Sequence, residues 1–105
     1  MTENEISYQI VGAAIDLHRA LGPGLLESVY EEALAIDLEE RGLRVHRQIA
    51  VPITYKSLTF DKGFRLDLLV ENKVIIEVKS VEQLARVHYA QLLTYLRLAD
   101  KKLGL

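Results

Sequence analysis

The sequence predicts a mixed α/β (α+β) domain with the element order ααβββα(β), its mixed sheet flanked by helices. Three observations carry this expectation. Two stretches of helical spacing precede Gly42, the period changes to alternation from Leu43 to Ser80, and helical spacing returns over residues 82–99. At 105 residues the chain is expected to be one domain, residues 1–105, burying roughly 60 to 70% of its unfolded surface around a single core. Half of the residues are hydrophobic and 27% charged, far from the composition that keeps chains disordered.

Each element has its own signal. Residues 3–20 place Ile6, Ile10, Ala13, Ala14 and Leu17 at helical spacing, and LGPG ends that helix. Residues 25–41 form a second amphipathic helix, stopped by Gly42 at the usual C-terminal position. VHRQIAVPITY then alternates and is rich in β-branched residues. Its Pro52 lacks an N–H and belongs on an edge strand or at a bulge. A turn at Lys56-Ser57 leads to SLTFDKGFRLDLLV, and a turn at Glu71-Asn72-Lys73 leads to VIIEVKS, completing a three-stranded meander. Residues 82–99 form the last helix, and KKLGL begins a further strand.

Composition narrows the function classes. There is no cysteine, so disulfides and thiolate metal sites are excluded. The start, MTENEISYQI, lacks the basic and apolar regions of a signal peptide, and no apolar run approaches the roughly 18 residues of a membrane span. A cytoplasmic protein without a membrane partner is expected. A net charge of −2 gives no global pull toward phosphate, which disfavours a passive nucleic-acid binder. It leaves room for an enzyme, because a site that holds divalent cations is acidic until the metal arrives.

The chemistry-bearing residues interrupt the most strand-like segment, RLDLLVENKVIIEVKS. Side chains at i and i+2 share a strand face, so Glu77 and Lys79 point together, away from Val74, Ile76 and Val78. A three-residue turn pairs Val70 with Val74 and brings Asp67 opposite Glu77, whereas a two-residue turn separates them; the former register is expected. Paired carboxylates make a hard oxygen site suited to Mg²⁺ or Mn²⁺. Lys79 would then orient or deprotonate an attacking water and stabilise transition-state charge. The competing reading is a salt bridge from Lys79 to either acid on a solvated sheet face.

Two helical residues bear on that choice. Glu27 falls at the border of the apolar face of the second helix, near Leu34 and Leu38, while Glu32 and Glu39 face solvent. An acid favourable to the helix dipole explains Glu27 equally well. In the last helix Leu84, Val87, Gln91, Tyr95 and Leu98 fall along one row, which sets Gln91 in an apolar face where its amide needs a partner. Tyr95 and His88 lie one turn to either side; a core Gln bonded to Tyr95 is the alternative, and His88 has at most a minor role.

Together these positions resemble the PD-(D/E)XK nuclease superfamily. Asp67 matches its aspartate, Glu77-Val78-Lys79 its E-x-K element, and Gln91 with Tyr95 the Q-x-x-x-Y signature of the RecB-like branch; Leu66 stands where proline is usual. GLLESVY, with Gly24, Glu27 and Tyr30, is similar to the signature of the bacterial GxxExxY proteins of that superfamily. The resemblance runs from the first helix to KKLGL. Those proteins usually continue with a GLLINF-type strand, so a chain ending at Leu105 is expected to be a truncated form.

The resemblance implies a restriction-endonuclease-like core and a Mg²⁺- or Mn²⁺-dependent nuclease acting on DNA phosphodiester bonds, with RNA the lesser option. It assigns metal ligation to Asp67, Glu77, the Val78 backbone carbonyl and Glu27, the last directly or through water. Lys79 joins Glu27, Asp67 and Glu77 as catalytic. Tyr30, Gln91 and Tyr95 would orient the site or contact substrate. Analogy with small duplex nucleases suggests a homodimer. The alternatives are a non-catalytic nucleic-acid- or protein-binding module that keeps the nuclease fold, and a structural or oligomerisation domain whose charges merely pair.

Overall fold

The computed structural model describes residues 1–81 and 83–105, apart from the side chain of Lys62. Thr2 opens the first helix: its hydroxyl accepts the Glu5 N–H at 3.2 Å, and the Glu5 carboxylate accepts the Thr2 N–H at 3.0 Å. This reciprocal cap satisfies two donors that the first turn leaves free. Helix α1 (Glu3–Leu21) buries Ile6, Ile10 and Ala13, with Leu17 packed at the margin; Ala14, expected inward, is exposed. Helix α2 (Glu27–Glu40) starts two residues later and ends one earlier than its periodicity suggests, and buries Glu31, Leu34, Ala35 and Leu38.

Gly42 ends α2 as expected. It holds φ 88°, a conformation costly for residues with a Cβ. Its N–H donates to Glu39 at 2.9 Å and the Leu43 N–H to Leu38 at 3.1 Å, the paired bonds of a Schellman motif. The Arg41 guanidinium beside this turn reaches back to α1, bonding Asp16 at 2.8 Å and Gln9 at 3.2 Å.

Strands β1 (Val45–Tyr55), β2 (Leu58–Val70) and β3 (Val74–Ile76) form the expected antiparallel meander. Helix α3 (Arg86–Leu98) then crosses over to β4 (Leu103–Gly104), which pairs parallel to β3. The sheet order is β1-β2-β3-β4, so β1 is an edge, and its register shifts between Val51 and Ile53, at Pro52. Both sites offered to a proline without an N–H thus coincide.

The turn that decides the site has three residues. Glu71 and Asn72 hold φ 52° and 55°, Lys73 N–H donates to Val70 at 3.0 Å, and Val70 pairs with Val74, Leu69 with Ile75 and Leu68 with Ile76. Continued one residue past the end of β3, the same register sets Asp67 against Glu77.

Two hydrophobic clusters cover the two faces. The first joins α1 and α2 to Leu68, Val70, Val74 and Ile76; the second joins α3 to Leu66, Leu69 and Ile75. Strict alternation would keep Leu66 with Leu68. Instead Val45 packs in the first cluster and Ile49 and Val51 in the second, while across the ladder Leu68 and Val70 lie in the first and Leu66 and Phe64 in the second. The crossing falls at Gln48 on β1 and Asp67 on β2.

Three expectations need correction. The third strand stops at Ile76, not Ser80: the Glu77 N–H still donates to the Leu105 carbonyl at 2.9 Å, but beyond it the Val78 N–H turns to the Asp67 side chain and the Ser80 N–H to Glu27. The last helix starts at Arg86. Glu82, its expected first residue, lies outside the described residues, and Gln83 to Ala85 are not helical. The His88 Nδ1 accepts the Ala85 N–H at 2.9 Å and caps the helix there.

Thirdly, α3 meets the sheet through Leu92, Tyr95, Leu96 and Ala99; Tyr95 keeps its expected inward place, while Leu84, Val87, Gln91 and Leu98 of the same row are exposed. Val87, at 67% exposure, and Gln91 therefore face solvent. Two stripes at helical spacing competed, and the sheet took the one that fits around Gly104, where a Cβ would come within 2.7 Å of Leu92. No helix among the described residues is long and apolar enough to cross a membrane.

Candidate functional site

The site begins at the Asp67–Glu77 rung. Asp67 Oδ2 accepts the Val78 N–H at 2.9 Å, which fixes that carboxylate against the first residue past the glutamate. Glu77 is less well provided for: its Oε1 is buried and has no hydrogen-bond partner among the described residues. Burial, and then the adjacent Asp67 charge, push the Glu77 carboxyl up from its ordinary 4.5 to about 8. Near neutral pH it therefore keeps a proton. Two carboxylates that cannot comfortably ionise together, one with an orphaned buried oxygen, form a donor set that a divalent cation would complete.

Lys79 follows two residues on and is half-buried. It makes no ion pair with Asp67 or Glu77, so the salt-bridged sheet face is not what these charges form. Its charge opposes the upward push on Glu77, but less strongly than burial and Asp67 sustain it.

Glu27 lies on the surface at the first position of α2, not at a buried edge, because the chain enters the helix only at that residue. Its Oε1 accepts the Ser80 N–H at 3.1 Å, and the Ser80 hydroxyl donates to the Leu25 carbonyl at 2.9 Å. Glu27 thereby grips the segment that carries Lys79. Tyr30 secures the other side of this grip: its hydroxyl donates to the Gly22 carbonyl at 2.5 Å and accepts the Leu25 N–H at 3.1 Å. Gly24 holds φ 93° within the loop so closed, a backbone that other residues rarely adopt. Gly24, Glu27 and Tyr30 thus build one clamp. Tyr30 acts on the loop from within the fold.

Tyr95 stacks on Phe64, ring centroids 4.3 Å apart and planes 11° from parallel, at the edge of the second cluster. Burial, with the charges of Glu77 and Asp67, raises its phenol above the ordinary range, while Gln91 pulls the other way. Tyr95 is therefore within electrostatic reach of the acid pair. Gln91 is exposed one turn earlier, which corrects its placement in an apolar face.

The structure thus brings Asp67, Glu77, Val78 and Lys79 together, attaches Glu27 and Tyr30 through Ser80 and Leu25, and sets Tyr95 alongside. Among the described residues no three His, Asp or Glu side chains gather closely enough to hold a metal by themselves. An open groove of about 930 Å³ runs from Glu77 and Lys79 along α1, walled mainly by apolar side chains such as Ile10, Val11 and Ile15, with His18 and Arg19 also in its lining.

One acid escaped the sequence reading. Glu31 is 5% exposed; its Oε2 accepts from Arg47 at 3.0 Å and its Oε1 from Gln48 at 2.6 Å. Its signal was present: Glu31, Leu34, Ala35 and Leu38 stand at i, i+3, i+4 and i+7, the spacing of one buried face.

Neither the curated proteins nor the solved structures give a significant match. The PD-(D/E)XK nuclease superfamily matches residues 4–105, all of the chain but its first three residues. A rung that opposes Asp67 to Glu77, a lysine two residues on, and a mixed sheet between helices are joined by a family match over nearly the whole chain: this protein belongs to the PD-(D/E)XK nuclease superfamily.

Proposed function

We propose that the protein is a nuclease dependent on Mg²⁺ or Mn²⁺ that hydrolyses DNA phosphodiester bonds, and that within its superfamily it is a GxxExxY protein of the RecB-like branch. The observation that carries this reading is the orphaned Oε1 of Glu77 beside Asp67. Two adjacent carboxyls that resist ionising together would be neutralised by a shared cation, and ligation at Oε1 would supply a partner that the fold does not.

Asp67, Glu77 and the Val78 carbonyl would hold the ion, with water and phosphate filling the remaining positions. When bound, it would supply charge stabilisation at phosphate and a more acidic water. The protein's own groups do the rest. Asp67 stays oriented by the Val78 N–H. Glu77 gives up its proton on loading, and Lys79 stabilises charge developing on the phosphate oxygens. Glu27 and Tyr30 hold the Lys79 segment in register through Ser80 and the Gly22–Leu25 loop. Gln91, exposed on α3, would contact the nucleic-acid backbone, and Tyr95 would orient the acid pair.

A second reading is favoured by one feature: Glu27 commits Oε1 to Ser80, and no third acid joins the pair among the described residues. A binding module that keeps the nuclease fold without cutting would show this too. Supercoiled plasmid with Mn²⁺ separates the two. The nuclease reading expects nicking that Lys79→Ala and Asp67→Ala each abolish. Plasmid binding without nicking in the wild type would establish the module instead.

A further inference from the structure

Arg47 and Gln48 are consecutive, yet both side chains bind one carboxylate, that of Glu31. In a regular strand neighbouring side chains point to opposite faces, so this convergence requires a local reversal of the backbone. Gln48 supplies it with φ 52°, inside β1 and without being glycine. Such a conformation persists only where its surroundings hold it. Here the hold is Glu31, 5% exposed on α2, with a 2.6 Å bond to the Gln48 amide.

The reversal has a place in the ladder. Arg47 pairs with Leu68 and Ile49 with Leu66, so Gln48 stands opposite Asp67. At this rung the inward side chains of both strands pass from the α1/α2 cluster to the α3 cluster. Asp67 is the β2 residue at the crossing, and its other neighbours are Glu77 and the Val78 N–H.

We propose that Glu31, Arg47 and Gln48 form a positioning device: by holding Gln48 in a left-handed conformation, the buried Glu31 bends β1 against β2 at Asp67 and so aims the Asp67 carboxylate at Val78 and Glu77. None of the three touches the acid pair's reacting oxygens. They act through the backbone of β1 and the paired strand. The consequence for metal binding rests on the nuclease reading above, whereas the aiming of Asp67 does not.

The test contrasts two substitutions that remove the same amide. Gln48→Gly loses the bond to Glu31 but adopts positive φ freely; Gln48→Val loses the bond and resists that conformation. Both leave Arg47 on Glu31. In the metal-free full chain, hydrogen exchange of the Val78 amide reports its bond to Asp67. Gln48→Gly should keep Val78 protection within about threefold of wild type, and Gln48→Val should lose at least about tenfold at matched folded fraction. Mn²⁺ affinity should follow the same order, with a loss of about 10- to 100-fold in Gln48→Val, as for residues that orient metal ligands.

If Gln48→Val does not fold, Gln48→Ala applies the same backbone preference more gently and carries the contrast. Equal Val78 protection in the Gly and Val (or Ala) variants would overturn the proposal, since a residue that merely stabilises the fold would affect both alike. Should the wild type bind no Mn²⁺ while the Val78 contrast holds, the metal reading fails and the positioning device stands.

Discussion

In the metal-free protein, replacing Glu77 by Gln should stabilise the fold at pH 8 and remove a loss of stability that the wild type suffers as pH rises. In the unfolded chain the carboxyl ionises near 4.5, whereas in the fold burial and Asp67 hold its proton until about pH 8. Its contribution to stability is thus full below pH 4.5 and drains away as pH climbs toward 8, at up to about 1.4 kcal/mol per pH unit. Over the whole interval that slope sets a ceiling of about 5 kcal/mol. Glu77 is only half-buried, and solvent reaches it, so about 2 kcal/mol is the working figure.

For a domain of this size about 2 kcal/mol corresponds to roughly 8 to 16 °C in Tm. Thermal unfolding followed by circular dichroism at pH 5 and pH 8 with chelator present reads it directly. The wild-type Tm should fall by about that much relative to Glu77→Gln, whose amide neither titrates nor repels Asp67. Parallel pH profiles in the two proteins, or a Gln variant less stable than wild type at pH 8, would refute the strained acid pair. Saturating Mn²⁺ should reverse the pattern, stabilising wild type more at pH 8 than at pH 5 because the ion displaces the proton.

Other expectations follow from packing and turn geometry. Leu38→Ala, at a fully buried position of α2, should cost about 2 to 5 kcal/mol in urea unfolding. Gly63→Ala sets a Cβ against the Ile53 side chain at the β1–β2 irregularity and should cost about 1 to 3 kcal/mol. Gly42→Ala, forced to φ 88° after α2, should lower stability by about 1 kcal/mol, seen as an earlier chemical-unfolding midpoint with unchanged slope. Gln91→Leu should leave stability within about 0.5 kcal/mol, since the residue is exposed, while plasmid nicking falls if Gln91 touches substrate.

Much of this arrangement could be read from local chemistry. The turn at Glu71 to Lys73 fixed the register by its length alone, because pairing Val70 with Val74 leaves no other partner for Asp67 than Glu77. Gly42 and Pro52 announced a helix end and a strand irregularity through the conformations they permit. What the chain concealed depended on distant partners. Whether α3 buries Leu92 and Leu96 or the row through Val87 and Gln91 is decided by the sheet beneath it, since both stripes have helical spacing.

Glu27 presents a similar case. Its position on a helical wheel suggested a buried margin, but at the first residue of α2 no preceding turn covers it, and its partner Ser80 lies fifty-three residues away. The reversal at Gln48 was hidden for the same reason: nothing in HRQIA marks a left-handed glutamine, and only the buried Glu31 on α2 requires one.

The claim at the centre is that Asp67 and Glu77 hold a divalent cation in exchange for a proton. Calorimetric titration with Mn²⁺ at pH 7, repeated in two buffers of different ionisation enthalpy, measures the metal and the proton together. With the Glu77 carboxyl raised to about 8, ion binding should release a large fraction of a proton, and Asp67→Ala should abolish the binding. Binding without proton release, binding undiminished in Asp67→Ala, or no binding to the wild type would contradict it.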